Sequence, residues 1–240
     1  MERIAEVSPR SMARIAGVFE ALEGLASASG QVLILGRLVI AGDAAATATS
    51  ILTHLPLFWF GFALSLFGVA FHIVWIALFY DLFKPVNRGI SLLAAFVGLV
   101  VCAMQALTSF LYLAPLLILQ AGSGLSGFSP DQLHALAYTF VRLNAYSFDV
   151  DLAFFGLWCF VTGYLIFRSA FLPRILGVLL AIDGLGWMLF IHPPLAFHLY
   201  PFIAGASAIA EIPLQLWLII MGVNPLRWKE QAAAAGQLHS

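Results

Sequence analysis

The chain has 240 residues, 62% of them hydrophobic and 10% charged, with 11 Lys and Arg set against 12 Asp and Glu. A mean hydropathy of +0.99 excludes an ordinary soluble domain, which carries roughly 25% charged residues to cover its surface. The near-neutral balance, without a basic stripe, gives no hint of a nucleic-acid partner; the lipid bilayer is the expected partner, with room for a small-molecule or ion ligand.

Crossing a hydrocarbon core of about 30 Å takes roughly 20 helical residues. Six stretches supply them, at 12–35, 56–83, 90–119, 148–167, 172–191 and 199–222, so the expected fold is all-α, a single transmembrane domain over 1–240. In the first stretch Ala26-Ser27-Ala28 resembles a signal-peptidase site, but Glu20 and Glu23 interrupt the apolar run before it, and the stretch is read as a retained span. Next, Gly42-Asp43 stands before Ala44-Ala45-Ala46-Thr47 as an N-cap opening a short external helix up to about His54. Gly122-Ser123-Gly124-Leu125-Ser126-Gly127 fits a dinucleotide fingerprint in letters only, because it follows a membrane helix and not a strand. Ser129-Pro130-Asp131-Gln132 is a capping box with Pro at the first helical position. A helix from there to Arg168 would be about 60 Å long, so it must extend beyond the bilayer or bend near Asn144 to Ser147.

One phrase recurs 160 positions apart: Arg14-Ile15-Ala16-Gly17-Val18-Phe19-Glu20-Ala21-Leu22-Glu23-Gly24-Leu25 returns as Arg174-Ile175-Leu176-Gly177-Val178-Leu179-Leu180-Ala181-Ile182-Asp183-Gly184-Leu185, with seven of twelve positions identical. A fainter copy runs from Arg88 to Leu99. Each copy opens the outward helix of a pair, which predicts three tandem helical hairpins with short external helices. The small residues Gly17, Ala21 and Gly24, and likewise Gly177, Ala181 and Gly184, form stripes that permit close helix approach in lipid. Nine of eleven basic residues (Arg3, Arg10, Arg14, Lys84, Arg88, Arg168, Arg174, Arg227 and Lys229) fall on one side of the spans, and only Arg37 and Arg142 on the other. By the positive-inside rule both termini are expected in the cytoplasm, with the protein multi-pass in a cell inner membrane.

Ionisable groups at mid-membrane cost roughly 2.5–3.5 kcal/mol each on insertion scales, which makes them the first candidates for function. Glu23, His72, Asp183 and Glu211 each lie about ten to twelve residues from the cytoplasmic end of a span, near the midplane. Acids at that depth can trade protons with one another or with neutral His72, so these four are the expected ligand- or ion-binding residues. Glu20, one turn before Glu23, extends the polar path. Pro213, two residues after Glu211, removes one backbone hydrogen bond from the last span and frees a carbonyl as a further ligand. Arg142, Asp149 and Asp151 on the fourth span are read as a cavity entrance. Cys102 and Cys159 are read as small apolar side chains, and His192 with His198 lack a third metal ligand. No catalytic residue, metal site or cofactor is indicated, since zinc, redox and serine-hydrolase motifs are missing from the sequence.

Several phrases in combination, namely Gly42-Asp43-Ala44-Ala45-Ala46-Thr47, Lys84-Pro85-Val86-Asn87-Arg88, Phe154-Phe155-Gly156-Leu157, Gly163-Tyr164-Leu165, Phe171-Leu172-Pro173-Arg174-Ile175-Leu176-Gly177-Val178-Leu179-Leu180 and Gly222-Val223-Asn224, resemble a bacterial membrane-protein family, the domain of unknown function 4386. The resemblance covers about Ala13 to Asn224 and implies a six-helix inner-membrane protein, without an activity, substrate or catalytic residue. The residues point first to a small-solute or proton/cation-coupled transporter with a midplane acidic site. The alternatives are a ligand-binding membrane sensor or assembly subunit, and a membrane-embedded enzyme.

Overall fold

The computed structural model describes residues 8–237; Arg3, counted above for orientation, lies outside them. The described chain is helical, with no strand among these residues. Six helices are long and apolar enough to cross a membrane: α1 (Pro9–Leu38), α3 (Leu55–Phe83), α4 (Arg88–Leu119), α5 (Pro130–Arg168), α6 (Arg174–Met188, continued by a 3₁₀ turn to Ile191) and α7 (Pro193–Ile220). Two shorter helices join them, α2 (Ala44–Thr53) and α8 (Pro225–Gln237). In chain order the spans form three successive helical hairpins. Outward-facing Phe67, Phe96, Phe110, Phe202 and Ile209 are more than half exposed, an apolar surface suited to contact with lipid.

Polar caps set the helix ends. Asp43 Oδ1 accepts from the Ala46 amide at 2.9 Å and starts α2. The capping box of α5 closes in both directions: the Gln132 amide donates to Ser129 Oγ at 3.3 Å, and the Ser129 amide to Gln132 Oε1 at 2.8 Å. Asn87 Oδ1 takes the Ile90 amide at the start of α4, and Asn224 Oδ1 takes the amides of Leu226 and Arg227 at the start of α8. Between α7 and α8, Gly222 adopts φ +66°, where a side chain would be strained. Replacing Asp43 by Ala is expected to destabilise the protein by about 1 kcal/mol; an unchanged thermal unfolding midpoint would remove the cap from the account.

The chain clusters into two compact units. The first comprises residues up to Ala21, Phe71–Val101 and residues from Asp151 onward; the second comprises Leu22–Ala70 and Cys102–Val150. Helices α1, α3, α4 and α5 each contribute a segment to both. Of the ten described Lys and Arg, eight belong to the first unit, and Arg37 and Arg142 to the second.

An aromatic core fills the first unit. Trp75 and Trp158 meet at 4.6 Å between ring centroids, flanked by Phe79 and Phe155. Along the seam between α5 and α6, backbones touch where glycines face each other. A Cβ on Gly184 would lie 2.5 Å from the Gly156 carbonyl oxygen, and one on Gly177 would lie 2.5 Å from that of Gly163. The two glycines of each helix are seven residues apart, two turns, so one face of α5 presses on one face of α6 at two levels. Gly17 is held as closely, against Leu218 of α7, whereas a Cβ on Gly24 would meet nothing within 4 Å. The small-residue stripe of the last copy is therefore a packing seam along its length, and that of the first copy only at its start.

The second unit has its own core of Ile34, Leu38, Ile51, Phe58, Tyr112 and Leu116. Here α1 departs from α-helical geometry: Ala28–Leu35 is π-helical, and the Gly36 amide donates to Gln31 O, five residues back. The widened stretch brings Gly30 against α3, where a Cβ would come within 2.7 Å of the Gly61 carbonyl oxygen. The long helix α5 runs uninterrupted through Asn144 to Ser147, and its 39 residues give about 58 Å at 1.5 Å per residue.

Candidate functional site

Asp183 is fully buried on α6. Its carboxyl group faces Glu211 and Ser207 of α7 and Cys159 of α5, yet neither of its oxygens completes a hydrogen bond. Glu211 is better held: Ser207 Oγ donates to its Oε1 at 2.8 Å, and Trp187 Nε1 donates to the same oxygen at 3.4 Å. Cys159 is a fully buried member of the first unit's hydrophobic core, as its small apolar reading expects, and lies within electrostatic reach of Asp183, Glu211 and Glu20. Glu20 is 4% exposed. The Phe19 and Phe71 rings, 5.8 Å apart, bring its turn of α1 against the turn of α3 that carries His72. His72 is fully buried, with its ring 4.8 Å from Trp75 and 6.5 Å from Phe155.

Glu23 belongs to the second unit. Its Oε1 accepts from Ser27 Oγ at 2.8 Å and from Gln105 Nε2 at 3.0 Å. Around this pair lies a polar cluster that the sequence reading left out. Gln31 Nε2 reaches Ser65 Oγ at 3.5 Å, Thr108 and Ser147 share a hydroxyl–hydroxyl bond at 2.7 Å, and Asn144 Nδ2 donates to Thr108 O at 2.7 Å. A lone Gln or Asn in an apolar span is the signal that would have found it. So is an acid with a hydroxyl one turn away, as in Glu23 with Ser27 and Ser207 with Glu211.

The residues read as a cavity entrance all lie on α5. Arg142 is exposed and donates to Tyr146 Oη at 2.9 Å, with its guanidinium 5.7 Å from that ring. Asp149, in the second unit, and Asp151, in the first, are 9% and 3% exposed. His192 accepts the Leu195 amide and so caps α7. Among the described residues no three His, Cys, Asp or Glu side chains stand close enough to share a metal ion.

The family described as "Domain of unknown function (DUF4386)" matches residues 15–222. The chain belongs to the DUF4386 family. It is also similar to an uncharacterized protein of Archaeoglobus fulgidus, 28% identical over 144 residues, which are 60% of this chain and 72% of that protein. No solved structure matches. The phrases through which this DUF4386 chain resembles the family have structural work in it. Asp43, Asn87 and Asn224 cap helices, Gly222 makes the turn into α8, and Gly156, Gly163 and Gly177 are contact points of the α5–α6 seam. None of these phrases contains a member of the acid cluster.

An apolar groove of about 570 Å³ opens over the same seam, lined by Leu93, Phe160, Tyr164, Phe167, Val178 and Ile182. Its lining suits a lipid chain and not a polar solute.

Proposed function

We propose that this DUF4386 protein is a transporter of a small solute, coupled to protons or another cation, with Asp183, Glu211 and His72 as its acid–base site and Glu20 as an added member. The observation that carries the reading is the fully enclosed Asp183 carboxyl facing Glu211 across the α6–α7 hairpin. Like charges packed together away from water repel strongly, so the pair with a proton on one of its two carboxyls is the low-energy arrangement, and release of that proton is the coupling step. The concentration of eight of ten described basic residues in the first unit supports an inner-membrane orientation with both termini cytoplasmic. The recurring Arg-to-Leu phrase supports an origin from internally repeated hairpins.

The experiment uses liposomes with the pH dye pyranine inside and an imposed Na⁺ or K⁺ gradient. Proton movement above that of empty liposomes is expected for the native protein, falling to the empty-liposome rate when Asp183→Asn and Glu211→Gln are combined. Unchanged proton flux in the double variant would remove the site. A second reading, a sensor or assembly subunit, is favoured by the fixed bonds of Glu211 to Ser207 and Trp187 and predicts no flux in any variant.

A further inference from the structure

The apolar groove over the α5–α6 seam is shaped by residue size and bordered by charge at one end. Gly163, Gly177 and Ala181 make its floor, because the two helices touch there through backbone and leave no large side chain to fill the space above. Its walls are Leu93, Phe160, Phe167 and Ile182, each between 42% and 53% exposed. From Gly177 to Leu185 the lining of α6 extends about 12 Å at 1.5 Å per residue, close to the depth of one leaflet, half of a hydrocarbon core of about 30 Å. Arg88 opens α4 two residues before Ile90, Arg168 closes α5 just after Phe167, and Arg174 opens α6 three residues before Gly177. The three arginines therefore stand at one end of the groove, and all are exposed. Arg174 already lies over the rim, with its guanidinium 5.8 Å from the Phe167 ring. Lys84, in the turn before Arg88, is answered by Asp81 at 2.7 Å, whereas among the described residues no acid pairs with Arg88, Arg168 or Arg174. The first turn of α6 has no side chain capping its amides, which adds to the positive potential.

We propose that this groove is a binding site for one anionic phospholipid, with an acyl chain lying along the seam and the phosphate held by Arg174 and Arg88. Charge complementarity selects this occupant. Guanidinium groups bind phosphate oxygens in pairs, and basic clusters at the ends of membrane helices hold anionic headgroups. A zwitterionic lipid fills the groove equally well but brings its own cation to the arginines. A second copy of the chain fits worse: a two-fold dimer through this face within one membrane sets arginines against arginines at one depth, and like charges repel. The site goes beyond the acid pair Asp183–Glu211, shares no residue with it, and is tested by binding alone. It stands even if the double variant of that pair leaves flux unchanged.

The full chain in detergent is titrated with dioleoyl phosphatidylglycerol or dioleoyl phosphatidylcholine, and bound lipid is counted by native mass spectrometry. One phosphatidylglycerol is expected to bind about tenfold more tightly than phosphatidylcholine. The preference should vanish when Arg88→Gln and Arg174→Gln are combined, and Val178→Trp, which fills the groove from an exposed position, should weaken both lipids alike. Equal affinity for the two lipids, or a preference that survives loss of both arginines, would overturn the proposal. So would phosphatidylglycerol binding that Val178→Trp leaves unchanged, or a lipid-free dimer that Val178→Trp dissociates, which would put a second copy in the groove. Because the variants can disturb folding, the native protein is also loaded with phosphatidylglycerol carrying a photoactivatable group in its chain. Crosslinks confined to residues 90–93, 160–167 and 177–185 support the site, and crosslinks spread over all the lipid-facing spans overturn it whatever the variants do.

Discussion

Valine in place of Gly184 is expected to cost the protein about 3 kcal/mol, the upper end for overpacking, because its new side chain would run into backbone. At Gly184 the obstacle is the Gly156 carbonyl oxygen at 2.5 Å and the Phe160 amide nitrogen at 2.7 Å. Neither can swing aside, so α5 and α6 would have to part along their length, loosening the Gly163–Gly177 contact two turns away. The companion measurement is Gly24→Ala. That position corresponds to Gly184 in the repeated phrase, yet it has open space around it, and Ala there is expected to be neutral or to add up to about 1 kcal/mol through helix propensity. Unfolding of both variants in detergent by heat or by added SDS reads the difference. Equal stability would mean that the seam yields and that the two glycines are interchangeable after all.

The second large effect is the separation of flux from stability in the Asp183→Asn, Glu211→Gln variant. Both substitutions keep side-chain shape and remove the ability to carry a proton, and an amide suits an enclosed place at least as well as an acid does. The transporter reading therefore predicts a folded protein with an unfolding midpoint at or above the native one and no gradient-driven proton movement. If the acids are instead fixed struts, the bonds from Ser207 and Trp187 to Glu211 are what matters. The midpoint should then fall by about 2–4 °C for each kcal/mol lost, with no flux even in the native protein. Measuring both quantities on one preparation decides between the two.

The spans, the Asp43 cap and the Ser129–Gln132 box were legible because each depends on local chemistry: run length, a side-chain oxygen, a spacing of three. The seam was legible in part, since glycines at i and i+7 mark a face but not its partner, and Gly24 has the spacing without a neighbour. Depth counting put Glu23, His72, Asp183 and Glu211 at one level, but depth along a helix does not fix which neighbours a side chain meets. Thus Glu23 joins Ser27 and Gln105, while Glu20, one turn earlier, lies within electrostatic reach of the Cys159 thiol. Nor does Ala28–Leu35 announce a π-helix, because the extra residue is accommodated by the Gly30–Gly61 contact, a tertiary matter. Asn87 and Asn224 stood in recognisable phrases, but their caps needed the helix starts to be placed first.

The last helix, α8, is tied to the ends of other helices by bonds that bypass its own backbone. Trp228 Nε1 donates to Leu82 O at 2.9 Å, the Ala170 amide donates to Gln231 Oε1 at 2.9 Å, and the Asn224 amide donates to Phe171 O at 3.2 Å. It thereby clamps the turn that closes α3 to the turn that joins α5 to α6, and a rearrangement of either one must drag it along. A fluorophore on a cysteine introduced at exposed Lys229 would then act as a gauge needle for shape changes at those turns.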